Sequence, residues 1–461
     1  MKTRQKKNTT KLALFAGAAA LAAFTPQTHA QTSVDSLLNK LEQKGILTVD
    51  EANALKAENQ QESAADFKRQ YDAKMKMPDW VTGYKIGGDF RGRYEQFNTT
   101  DNAHFVDRTR FRYRLRFGIV ANIVDNMEVG FRLASGDPAQ GNSGQGNSLS
   151  ANTTLQNNGT RKTIYIDAAY AKWTAINNGD WLLAVTIGKM DNPFAFTPMV
   201  IDADYDPEGG AITGGYTIND RHSLAFTGAA FVLDELSGST QDPFFYGGQL
   251  LLNSKWTPKL SSSIGVGFLQ IGSPAKLTTG NVPYQNQGNT RDAAGVLLNN
   301  YNPIIADASA TYTLDSFPLY HGAFPIKVGG EFINNPGAGQ NNNGYWVGVT
   351  FGKSGKKNTW DLSYRYEYLE ADAWYDQVVD DDNVAYYQNA PTGAPAGNGV
   401  GAFGGTNVKG HKVILNYSIT DSLTFSITGY INDLINNPVY NGVNEPNSTA
   451  VHVMADIMWK F

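Results

Sequence analysis

Arg108, Arg110, Arg112, Arg114 and Arg116 occupy every second position of one stretch, interleaved with Thr109, Phe111, Tyr113, Leu115 and Phe117. A period of two puts five guanidiniums on one face of a strand, whereas on a helix they would scatter around the axis. Such a row repels cations, orders anions and polar solutes, and acts most strongly where it lines a wet, confined space. Arg91 and Arg93 share this alternation upstream with Asp89 and Glu95, and Arg132 with Glu128 continues it downstream. Two outcomes are open for this set. Its members line a lumen, or the arginines pair with Asp89, Glu95 and Glu128 on adjacent strands and fill a wall with ion pairs.

Other chemistries find little support. With no cysteine in the chain, disulfides, zinc-thiolate sites and cysteine nucleophiles are excluded. Asp202, Asp204 and Asp206 have the opening spacing of a calcium loop, but Pro207 stands where the turn glycine belongs and Thr213 where the closing glutamate belongs. Gly352-Lys353-Ser354 lacks the earlier glycine of a phosphate loop, since Val347 sits at that place. His104, His222, His321, His411 and His452 show no paired metal spacing. No catalytic residue, cofactor or metal site is expected. A barrel hydrolase is the remote enzymatic alternative.

A row of arginines needs a strand, and the strand needs a setting. It belongs either to a soluble sheet, with arginines in water over an apolar core, or to a membrane barrel, with the apolar face in lipid and the arginines inside. Alternation recurs from Tyr84 onward, giving 16 candidate strands at 84–97, 105–122, 126–136, 162–174, 181–190, 210–218, 221–233, 244–256, 260–272, 305–314, 325–334, 344–352, 359–370, 409–419, 422–434 and 449–461. Brief connections (Ile123-Val124-Asp125, Asn219-Asp220, Thr257-Pro258-Lys259, Thr420-Asp421) alternate with long ones at 137–161, 191–209, 273–304 and 371–408. Short turns at one end, long loops at the other and an even strand number make an outer-membrane barrel. Facing one arginine to lipid near the midplane costs about 2–4 kcal/mol, which fixes the register. Trp173, Trp181, Trp256, Trp360 and Trp459 near strand ends fit interfacial girdles better than sugar-stacking platforms.

The flanking segments agree with export. Lys2, Arg4, Lys6, Lys7 and Lys11 precede an apolar run from Leu12 to Phe24, and Thr28-His29-Ala30 offers a cleavage point, so residues 1–30 read as a signal peptide. That run is short of the ~20 residues a spanning helix needs. Removing the peptide leaves 33 Lys+Arg against 43 Asp+Glu, a net charge of −10 that argues against a nucleic-acid partner. Residues 31–78 carry Val34, Leu37, Leu38, Leu41, Ile46 and Leu47 at helical spacing, with Gly45 between two pieces and Pro78 at the end. This is a periplasmic helical or coiled-coil segment or a loosely ordered spacer, and residues 79–461 are the barrel.

Three stretches carry a family resemblance. The C-terminal strand ends on Trp459 and Phe461 and is similar to the assembly signal of Gram-negative outer-membrane proteins. Gly45-Ile46-Leu47-Thr48 with Glu51-Ala52, then Gly88 to Glu95 and the arginine strand, resembles the putative porins distantly similar to phosphate-selective (O/P-type) porins. Gly188 to Phe194 resembles the lead into the inward loop of those porins.

The resemblance implies an all-β, antiparallel up-and-down transmembrane barrel assembled by the barrel assembly machinery, set in lipid and lipopolysaccharide, and homotrimeric. It implies that the loop 191–209 turns inward and presents Asp202, Asp204, Asp206 and Glu208 to the basic wall as a constriction. Passive diffusion of small hydrophilic solutes is the expected function. A phosphate filter is the competing channel reading, although loop 191–209 has acids and no lysine. A barrel-anchored tether, with residues 31–78 on the cell wall, is the non-channel reading. Asp380, Asp381 and Asp382 are expected on a solvated extracellular face, alone or with divalent ions shared with lipopolysaccharide.

Overall fold

The computed structural model describes residues 78–100, 107–138, 145–387, 401–437, 439–440, 443–444 and 448–461, together with the isolated positions Leu41, Glu51 and Leu55. The expected signal peptide and nearly all of the helical segment 31–78 lie outside the described residues. Trp80–Phe461 form one compact unit.

Sixteen long strands follow one another around that unit. They are β1 (Val81–Thr99), β2 (Arg108–Ile123), β3 (Met127–Gly136), β4 (Thr163–Asn177), β5 (Trp181–Lys189), β6 (Glu208–Asn219), β7 (His222–Val232) and β8 (Phe244–Lys255). The second half comprises β9 (Leu260–Gly272), β10 (Ile304–Leu314), β11 (Phe324–Asn334), β12 (Asn343–Gly352), β13 (Thr359–Leu369), β14 (Val408–Ser418), β15 (Leu423–Leu434) and β16 (Ala450–Lys460). Every strand expected from alternation is present, its ends displaced by at most three residues. Each pairs antiparallel with its sequence neighbours, and β1 pairs with β16 as well as β2, so the sheet has no free edge. Closure satisfies the backbone where no water can. Among the described residues no helix is long and apolar enough to cross a membrane.

The register sends the greasy side chains outward. Phe111, Leu115 and Phe117 are 56, 41 and 47% exposed, while Arg112 and Arg114 between them are buried. Ile264, Val266 and Phe268 on β9 and Val328 and Phe332 on β11 repeat the outward column. Trp173, Trp181, Trp256 and Trp459 are also exposed on this surface, as girdle residues are.

The interior departs from simple alternation. Inward positions of β7 to β11 and β13 carry Phe231, Phe245, Leu269, Ile271, Ile305, Ile333 and Leu369, all buried, where a polar lining was expected. They pack with Phe194, Phe196, Met199, Val200 and Ile201 of the loop 190–207, with Leu277, Val282, Leu297 and Tyr301 of the loop 273–303, and with Trp374, Tyr375, Val378 and Val379 of the loop 370–407. Three long loops thus turn into the barrel and share an apolar core with one arc of the wall. The opposite arc holds the arginines.

Candidate functional site

β1 and β2 pair with Asp89 beside Arg116, Arg91 beside Arg114, Arg93 beside Arg112 and Glu95 beside Arg110. Side chains directly opposite across an antiparallel pair interact, so this register sets acid against base on the inner face. Asp89 accepts from Arg114 at 3.0 Å and from Arg116 at 2.8 Å. Glu95 accepts from Arg110 and lies 3.7 Å from Arg112. Arg93 reaches across the closing seam and holds both oxygens of Asp456 on β16, at 2.8 and 2.9 Å. Arg91 donates to Asn152 at 2.8 Å. Arg108 is exposed at the start of β2. Glu128 does not meet an arginine; the Tyr170 hydroxyl donates to it at 2.8 Å.

The loop 190–207 crosses from the apolar arc to this wall. On the apolar side Phe194 stacks near Phe196 and Phe245, the Ala195 amide donates to Gln249 at 2.8 Å, and the Thr197 amide to Glu331 at 3.2 Å. On the basic side Asp204 accepts from Arg114 at 3.0 Å and sits 3.6 Å from Arg116. Arg132 donates to Asp206 and to Asp191, each at 2.6 Å, and to Asp167. Asp167 owes its position to a bulge: Arg132 pairs with Ala168 and Leu133 with Ile166, leaving Asp167 as the extra residue. Bulges re-aim side chains in this way.

Three expectations about this loop need correction. Asp204 and Asp206 touch the arginines directly instead of facing them across a gap. Glu208 is the first residue of β6, outside the loop, where it pairs with Lys189 at 3.3 Å. Asp202 points elsewhere. One of its carboxylate oxygens and one each from Asp380 and Asp381 lie within 4.8 Å of one another. The latter two do not form a solvated face: the stretch 370–387 folds inward because its Trp374, Val378 and Val379 are apolar, and carries them along. Lys412 donates to Asp380 at 2.9 Å. Burial and the neighbouring acids push the Asp202 and Asp381 carboxyls well above the usual range. Burial also pushes Asp206 up to about 7, with Asp167 and Asp191 adding to it and Arg132 opposing. Asp202, Asp380 and Asp381 are the oxygen donors here that could hold a divalent cation.

The same loop is fixed to the seam. Asp382 lies 3.3 Å from Arg93, and its carbonyl accepts from His452 Nδ1 at 2.9 Å. His452 Nε2 meets Glu95 at 3.0 Å. The ring is stacked between Phe97 and Tyr430. Asp167, Asp191, Asp382, His452 and Asp456 were not singled out in the sequence as members of this network. At the C-terminus, Gly88 and Phe461 exchange two backbone hydrogen bonds of 2.9 and 3.1 Å, and Trp459 packs near Phe90.

A protein-family model described as putative porin matches residues 97–272, from the end of β1 through β9. The match spans less than half of the chain. Among solved structures, the barrel is similar to Pseudomonas putida OprB at high pH, with 12% identity, 82% of this chain and 94% of that chain covered, and a TM-score of 0.49. The low-pH structure of the same protein gives 10%, 82%, 93% and 0.41. A triple mutant of Rhodopseudomonas blastica porin gives 12%, 82%, 100% and 0.39. No curated protein matches. The closed antiparallel barrel rests on the strand pairing itself.

Proposed function

We propose that this channel passes small hydrophilic solutes and ions by passive diffusion, with its narrow part bounded by the arginine wall and the acidic loop 190–207. The observation that carries this reading is the crossing of that loop from Phe194, on the apolar arc, to Asp204, on Arg114. A bar fixed at both ends divides the lumen and sets a size limit. The charge arrangement supports weak selectivity over a phosphate filter, because Asp89, Glu95, Asp204, Asp206 and Asp456 answer most of the arginines. A phosphate site would need guanidiniums left unanswered.

This reading includes a homotrimer in a lipopolysaccharide-containing membrane. Trp459 and Phe461 serve as the assembly signal, and residues 31–78 lie on the periplasmic side. Single-channel recording in planar bilayers tests it. An ohmic, weakly selective current supports diffusion; saturation by phosphate supports the filter; absence of current supports the tether.

A further inference from the structure

The connection 315–323 between β10 and β11 lies at the short-turn end, yet it is longer than the turns beside it. It lies on the outer surface of the barrel. Phe317 stacks on Phe324 with ring centres 4.1 Å apart, and Tyr320 stands edge-on to Phe324 at 5.0 Å. All three surround Trp360. Phe324 shares its face of β11 with the lipid-facing Val328 and Phe332, and Trp360 shares its face of β13 with the exposed Leu362 and Tyr364. The four rings therefore continue the lipid-facing column down to the rim.

Leu319 tips this knot and is 95% exposed, the most exposed large apolar side chain among the described residues. It follows Pro318 with φ +63°, and the Tyr320 amide donates back to the Phe317 carbonyl at 3.2 Å. A turn with proline second and a left-handed residue third favours glycine at that third place. A leucine there is strained, and strain kept at an exposed position points to a use for the side chain. The tip is held rigidly: Trp360 Nε1 donates to the Leu319 carbonyl and the Tyr320 hydroxyl to the Lys353 carbonyl, each at 2.8 Å. Lys353, Lys356 and Lys357 are exposed on the adjoining turn.

We propose that 315–323 is a foot that seats Leu319 in the phospholipid of the inner leaflet, with the neighbouring lysines at its headgroups. Lipid is the occupant because the foot is continuous with the lipid-facing surface, and aromatic rings over basic side chains suit a bilayer interface.

The absence of cysteine makes the test clean. The full chain with Leu319→Cys carries an environment-sensitive fluorophore and is placed in phosphatidylcholine–phosphatidylglycerol vesicles. Asp220→Cys, on another short turn, is the water-exposed control. The Leu319→Cys label is expected to emit at shorter wavelength than the control, to lose most of its signal to a lipid-borne quencher, and to resist soluble iodide. Emission and iodide access equal to the control overturn the proposal. Pro318→Cys provides a second label position if the first variant does not fold.

Discussion

Asp204 Oδ1 sits 3.0 Å from Arg114 Nη1, joining the inward loop to the second strand across 90 residues of sequence. One carboxylate thereby faces two guanidiniums, since Arg116 is 3.6 Å away. The pair fixes the loop and sets the local charge at once.

Asp204→Asn is expected to shift the channel toward anions and Arg114→Ala toward cations. One unit charge about 10 Å from a permeating ion in water is worth roughly 0.4 kcal/mol, or about a twofold change in permeability ratio. Reversal potentials in a salt gradient read it. Equal potentials in both variants would place the pair away from the ion path.

Glu95→Gln leaves Arg110, Arg112 and His452 without their shared anion. Breaking one side of a buried ion pair costs about 3–5 kcal/mol. The urea midpoint of the barrel should fall accordingly, and a midpoint within error of the parent would assign the stability of this corner to the stacked rings instead.

Asp202 and Asp381 hold their protons to higher pH in the folded chain than in the unfolded one. A raised carboxyl contributes stability that is fully present below its ordinary unfolded value and is lost as pH rises from there through the folded value. Asp202→Asn, a permanent mimic of the protonated form, should therefore gain more stability over the parent at pH 8 than at pH 5. The gain is about 1.4 kcal/mol for each unit separating folded and unfolded values. Thermal unfolding in detergent at both pH values checks the sign.

Phe194→Ala removes the ring that packs among Phe196, Phe231 and Phe245. The packing loss is about 3–5 kcal/mol, concentrated on the loop end that this ring holds. Mean single-channel conductance and open-channel noise should both rise; unchanged traces would mean that the loop does not narrow the path.

The wall was legible in the sequence because lipid punishes every misplaced polar group, and so each strand had to announce its outer face. Phe111, Leu115 and Phe117 are the clearest case. The inside obeys no such rule. Phe231, Phe245 and Leu269 face inward onto loop residues far away in sequence, and alternation cannot tell a lipid contact from a loop contact. The arginine ladder was visible, as were Asp89 and Glu95. Its other partners were not: Asp167 arrives through a bulge, and Asp456 pairs with a residue 363 positions earlier. Asp380, Asp381 and Asp382 are conspicuous and suggest a solvated surface, whereas Trp374, Val378 and Val379 decide the course of 370–387.

The seam between β1 and β16 also bears on how the chain is made. Arg93 emerges early in synthesis, but Asp456, which accepts two hydrogen bonds from it, comes only with the last strand. Until that strand is docked, β1 keeps a row of unpaired backbone groups and Arg93 lacks its partner across the seam, a state that an apolar surrounding penalises. An incomplete copy would thus carry a built-in mark of its own incompleteness, erased only when tail meets head.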